Sequence, residues 1–147
     1  MHTRRAASWV GRMVLLAVLA GCGAAGSYRD PAAPMGATTR FEAVRFAGDW
    51  QVVARFGDRP VGPMRFDAAR GELVDLATGA RMPVNVRDGA QVMWVDTGFR
   101  TAALGARDGR VGFILDRSAG SAPDRLQAAR EIMEFYGWDT ARLSAPD

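Results

Sequence analysis

The 147-residue sequence contains no lysine, a single histidine, His2, and a single cysteine, Cys22. With its one imidazole at the N-terminal end, the chain has no histidine to act as a general base or to ligate a metal in a folded domain. One cysteine also excludes an intrachain disulfide. Ser27, Ser118, Ser121 and Ser144 stand in no nucleophile-elbow context. The acid pairs Asp75 with Asp88 and Asp96 with Asp108 fall at turn signals, where a carboxylate ordinarily serves the turn itself. The reading is of a protein that is not an enzyme and uses no cofactor or metal. Beyond the N-terminal segment no apolar run is long enough to cross a bilayer. The charge gives no purchase to nucleic acid either. The 19 arginines exceed the 16 acids, but Arg4, Arg5 and Arg12 lie in the first 21 residues, and the remainder balances. No cluster of arginines with interleaved aromatics appears in that remainder.

What is present begins with a leader. Arg4, Arg5 and Arg12 precede an apolar stretch, Met13 to Ala20, and Leu19-Ala20-Gly21-Cys22 sets small residues before the cysteine. This resembles a bacterial lipoprotein signal, and the resemblance implies removal of residues 1–21 and acylation of Cys22. Such acyl chains hold a membrane firmly, each buried methylene contributing about 0.8 kcal/mol. Gly23 stands where an aspartate commonly signals inner-membrane retention, so the resemblance implies the bacterial outer membrane, periplasmic face. Residues 22–40 are rich in Gly, Ala, Pro and Thr and lack periodicity. They read as a flexible tether spanning on the order of 23 Å.

Residues 41–147 read as the folded domain. Phe46-Ala-Gly-Asp-Trp-Gln-Val-Val-Ala-Arg-Phe56 alternates at period two, with Trp50, Val52, Ala54 and Phe56 on one face and Gln51, Val53 and Arg55 on the other. Short runs follow at Met64 to Asp67, Glu72 to Leu76 and Arg81 to Val86, with Arg70-Gly71, Thr78-Gly79 and Asp88-Gly89 as hairpin turns. Pro83 lacks a ladder donor, which predicts an edge or bulged strand there. An apolar run from Val92, the acidic turn Asp96-Thr97-Gly98-Phe99, and a second run to Gly105 form a hairpin. Asp108-Gly109 then turns the chain into Val111 to Arg117. Finally, Leu126, Ala129, Met133 and Tyr136 form one helical stripe, with Ser121 as cap, Pro123 and Asp124 in the first turn and Gly137 at the end.

Three of these stretches together resemble the lipocalins. Gly48-x-Trp50 looks like the first motif, Asp96 to Phe99 the second, with a ring but no phenol, and the apolar strand ending at Arg117 the third. The resemblance implies a small antiparallel up-and-down β-barrel of about seven to eight short strands with the C-terminal helix packed outside. It further implies that Trp50 closes the barrel floor beneath Arg117, near the turn carrying Phe99. Three strands stand between the first strand and Gln91 where a lipocalin has four, which shrinks the barrel or leaves it unclosed.

Two functions follow. The first is a membrane-anchored module binding a small apolar ligand, lipid or fatty acid, in the end opposite Trp50. Alternation nominates Val52, Ala54, Trp94, Leu104 and Phe113 as its wall. The second is an interaction lipoprotein whose barrel is filled by its own side chains and whose outer surface binds a protein partner. Interior volume separates them: Gly112, Ala102 and Ala54 would leave space, while Trp50, Trp94, Phe66 and Phe113 would fill it.

Overall fold

The first strand, β1 (Gly48–Phe56), is the spine of the computed structural model, which describes residues 26–57 and 62–146. Cys22 and the rest of the leader lie outside the described residues. A single turn of helix, α1 (Ala43–Phe46), delivers the chain to β1, and Gly48 makes the entry with φ +92, a conformation that suits glycine.

From one edge of β1 runs an antiparallel meander of β2 (Met64–Asp67), β3 (Glu72–Asp75) and β4 (Arg81–Pro83). From the other edge run β7 (Gly112–Asp116), β6 (Thr101–Ala106) and β5 (Ala90–Val95). The strand order is therefore β4-β3-β2-β1-β7-β6-β5, and β8 (Leu143–Ser144) adds to the end of β1. This is an antiparallel half-barrel with one long helix, as the sequence predicts. Pro83 lies in the outermost strand, where its missing N–H removes nothing from the ladder.

The Asp88-Gly89 hairpin is not formed. After β4 the chain makes a parallel bridge, Val84 to Ala90, so the two ends of the curled sheet meet through that contact. Asn85, at φ 56, makes the link: its N–H donates to Ala90 O at 2.7 Å and its Oδ1 accepts from Val92 N–H at 2.8 Å. Gly89 is required because a Cβ there would lie 2.1 Å from Pro83 O.

Two bulges divide the core. Register shifts between Val52 and Ala54 and between Val92 and Trp94. Each extra residue reverses the alternation of side chains beyond it. Trp50 and Val52 thus point into the barrel with Phe46, Phe66, Leu104, Phe113 and Leu115. Ala54, Phe56 and Met93 point outward, into a second core beneath α2 (Pro123–Phe135).

In that outer core Met133 and Ala129 are fully buried, and Leu126 and Tyr136 pack beside them. Ser121 does not cap the helix, because its hydroxyl donates to Asp116 Oδ2 at 2.8 Å instead. Beyond the helix, Trp138 lies flat on the cross-strand pair Gly105 and Gly112. A Cβ at either position would come within 2.2 to 2.5 Å of the indole. Gly112 therefore leaves no space inside the barrel; its missing side chain seats Trp138 outside.

The predicted tether is not free over residues 26–40. Tyr28 N–H donates to Gly109 O at 2.8 Å, Asp30 N–H to Gly137 O at 2.8 Å, and Thr38 N–H to Val92 O at 2.8 Å. Buried Arg29 donates to Tyr136 O at the helix C-terminus and to Arg107 O, where a cation also complements the helix dipole. The segment is thereby tied to the helix end and to the outer edge of β5.

Candidate ligand cavity and barrel floor

The floor is built around one guanidinium. Arg117 follows the last residue of β7, so its side chain projects across the end of the barrel toward the start of β1. Its Cζ stands 3.7 Å from the Trp50 ring centroid. Its nitrogens donate to four carbonyls: Phe99 O at 3.2 Å and Ala47, Asp49 and Arg45 O at 2.9 Å each. Those acceptors come from α1, the α1–β1 junction, the start of β1 and the β5–β6 turn, so one side chain ties all four together. Burial lowers the Arg117 pKa from its ordinary value and nearby Asp49 opposes the shift. An arginine starting above 12 stays charged through such a change.

Beneath the guanidinium, Trp50 donates its indole N–H to Phe46 O at 2.9 Å. Phe46 packs against Trp50, Phe66 and Phe41 with ring centroids 4.6 to 5.3 Å apart. This aromatic plug fills the floor half of the interior. Phe41 and Phe46 are members of it that alternation along β1 does not reveal, since both precede the strand.

Asp96 shapes the second motif. Its carboxylate accepts from the backbone N–H of Gly98, Arg100 and Thr101 at 3.2, 2.6 and 2.7 Å. Burial disfavours its ionised form, but these bonds and the Arg100 side chain together outweigh it and hold the pKa below its ordinary value. The turn holds Phe99 at φ 54, where Arg45 covers its ring at 4.1 Å. Gly48, Trp50, Asp96, Phe99 and Arg117 thus share one end of the barrel.

A polar cluster missed in the sequence lies nearby. Asp116, 1 % exposed, accepts from Thr101 Oγ1 at 2.6 Å, Ser121 Oγ at 2.8 Å and Ser118 N–H at 2.9 Å, with Arg125 Nη2 at 3.5 Å. Burial opposes its charge most strongly, and the hydroxyl and backbone donors reverse the balance to lower its pKa. These bonds tie the start of α2 to the barrel.

At the opposite end the interior opens. A cavity of about 890 Å³ is bordered by Met64, Leu73, Met82 and Phe113, by buried Arg55 and Asp75 and by exposed Thr78 and Arg81, and it extends past the end of β1 to Gly26, Tyr28 and Phe56. This exceeds the ~300 Å³ lower range of small-molecule pockets. Of the five predicted wall residues, Phe113 lines the cavity, and Val52 and Leu104 lie in the filled interior. Ala54 and Trp94 do not belong to the wall: the two bulges turn them to the outer core. By the same reversal Arg55, read as outward, borders the cavity instead.

A shallower groove of about 490 Å³ runs outside, between residues 27–30, Glu134 and Arg142. Its lining is mainly polar, so it suits an apolar ligand less than the barrel does. Of the paired acids noted in the sequence, Asp75 and Asp108 serve turns: Asp75 accepts from the Ala77 and Thr78 N–H groups, and Asp108 from Arg110 N–H. Asp96 and Asp108 stand at opposite ends of β6. No group of three His, Cys, Asp or Glu that could hold a metal occurs among the described residues.

No family model matches the sequence, and no curated protein matches it. The fold does have solved counterparts. The chain is similar to lobster apocrustacyanin A1, with 14 % identity and a TM-score of 0.50 over 70 % of this chain and 77 % of that one. It is similar also to apocrustacyanin C2, with 11 % identity and a TM-score of 0.51 over 82 % of this chain and 88 % of that one. At these identities the likeness is one of architecture, and the architecture is that of the lipocalins.

Proposed function

We propose that this protein is a binding module that holds a single-chain, lipid-like molecule, a fatty acid or lysophospholipid, in the barrel end opposite Trp50. The observation that carries the reading is the cavity of about 890 Å³ bordered by the apolar side chains of Met64, Leu73, Met82 and Phe113. An acyl chain matches those side chains. A polar or acidic head suits the arginines that border the cavity, buried Arg55 and exposed Arg81. The filled floor sets the depth to which a chain can enter, so the ligand is short or leaves its head at the mouth.

Acylation of Cys22 and an outer-membrane, periplasmic address belong to the same proposal. They rest on the Leu19-Ala20-Gly21-Cys22 pattern and on Gly23. Among the described residues no helix is long and apolar enough to cross a membrane. Cys22→Ser should leave the protein unlabelled by a fatty-acid probe and release it from the membrane pellet; continued labelling would refute acylation at this site.

The reading of a filled barrel with a protein partner has one observation in its favour, the aromatic plug of Phe41, Phe46, Trp50 and Phe66. Native mass spectrometry of the protein purified in mild detergent separates the two. A bound species of lipid mass supports the cavity reading, and a bare protein that takes up no added lysophospholipid supports the other.

A further inference from the structure

The chain enters the domain at the rim of the cavity, and this fixes which end an N-terminal anchor would pull toward a membrane. Gly26 and Tyr28 border the cavity. Tyr28 is held there from three sides: by Gly109 O in the β6–β7 turn, by the Phe56 ring at 5.3 Å, and by Arg142 at 4.2 Å. Four residue steps separate Cys22 from Gly26, a reach of at most about 14 Å even when fully extended. The floor lies at the far end of β1, eight residue steps from Phe56 to Gly48, or about 26 Å away.

We propose that the mouth of the barrel docks on the surface of a lipid bilayer carrying anionic headgroups, so that the cavity opens toward the membrane. This rests on acylation of Cys22. The rim has the chemistry for it. Leu76 and Val111 are 45 % and 38 % exposed, on the two turns that flank the cavity. Arg107 and Arg110 are exposed in the β6–β7 turn, and Asp108 between them, also exposed, accepts the Arg110 N–H at 3.0 Å, which leaves the turn a net positive charge. Two apolar tips, one of them with the guanidinium groups of Arg107 and Arg110 beside it, fit an interface where tails and phosphates lie within a few ångströms of each other. The other exposed apolar side chains, Val44 in α1 near the floor, Val86 between β4 and β5 and Phe135 on α2, lie on neither of these turns. A mouth held against the bilayer lets an acyl chain pass between lipid and cavity without crossing water.

The test uses the acylated full-length protein in phosphatidylethanolamine–phosphatidylglycerol vesicles. The lipid occupies the sulfur of Cys22, so Leu76→Cys, Val111→Cys or Val44→Cys each supplies one free thiol for an environment-sensitive fluorophore. The expected result is a blue shift for the probes at positions 76 and 111, with quenching by lipids bearing a quencher below the headgroup, and no change at position 44. If the protein floats with the vesicles and neither rim probe shifts, or the probe at 44 shifts in their place, the orientation is wrong. If the protein does not float, acylation itself fails, and the docking proposal falls with it.

Discussion

Replacing Arg117 with alanine removes the element that closes the floor, and the structure sets the size of the effect. The guanidinium lies 3.7 Å over the Trp50 ring, a contact worth about 0.5 to 2 kcal/mol depending on how dry the site is. Its bonds to Phe99 O and Ala47 O are partly buried, whereas those to Asp49 O and Arg45 O are exposed. The exposed carbonyls recover a water partner when the side chain is gone; the other two recover one only in part. Hydrogen bonds from a charged donor contribute ~1.5 to 3 kcal/mol when their partner stays dry, so the variant should lose about 2 to 4 kcal/mol in all. Urea unfolding followed by circular dichroism measures it. Arg117→Lys should recover less than half of the loss, because an ammonium cannot lie flat on an indole while reaching four carbonyls. A double-mutant cycle with Trp50→Phe isolates the ring contact, which should appear as a coupling of about 0.5 to 2 kcal/mol. A loss below ~0.5 kcal/mol for Arg117→Ala, the range of an ordinary surface substitution, would refute the argument.

Acid should weaken the fold through Asp96 and Asp116. Both have folded pKa values below the ordinary 3.8. Their stabilisation is therefore complete above that value and is lost as pH falls through the folded values, so urea midpoints should hold from about pH 7 to 5 and drop below ~4. Asp116→Asn should cost about 2 to 4 kcal/mol, since it faces an amide NH₂ toward hydroxyl and guanidinium donors, and it should flatten that pH dependence. Gly112→Ala drives a methyl to 2.5 Å from the Trp138 ring and should cost about 1 to 3 kcal/mol, with a change in near-ultraviolet circular dichroism. Trp94→Ala should leave ligand affinity unchanged, because the Met93 bulge puts that ring outside the barrel; weaker binding would contradict the assignment of faces.

The floor was legible in the sequence because three short stretches resemble the lipocalin motifs, and the resemblance implies that they share one end of a barrel. Gly48 and Trp50 begin the first strand, Asp96 and Phe99 make a tight turn, and Arg117 ends the last barrel strand, and antiparallel pairing brings them to one end. The missing fourth middle strand was legible as a count of turn signals. The cavity wall was not. Alternation is a parity argument, and one inserted residue reverses it. The bulges at Val53 and Met93 carry no glycine or proline to announce them, and they moved Ala54 and Trp94 out and Arg55 in. The docked path of residues 26–40 was hidden differently: its bonds are made by backbone groups and by Arg29, and a segment of Ala, Pro and Gly shows no periodicity whether it is free or held. Gly112 read as space in a barrel, but a glycine that faces Gly105 across two strands is equally a seat for a ring. Only the position of Trp138 after the helix decides between them.

Calorimetric titration of the Cys22→Ser protein with single-chain fatty acids and lysophospholipids measures whether the cavity takes up a ligand. Alongside it runs Met82→Trp, which places an indole into the cavity from a half-buried position where the fold should tolerate it. The expected result is saturable one-to-one binding by the unblocked protein with a negative heat-capacity change, and its loss in the Met82→Trp variant while the melting transition persists. Equal binding by both proteins, or no saturation by any ligand while the protein remains folded, would contradict it.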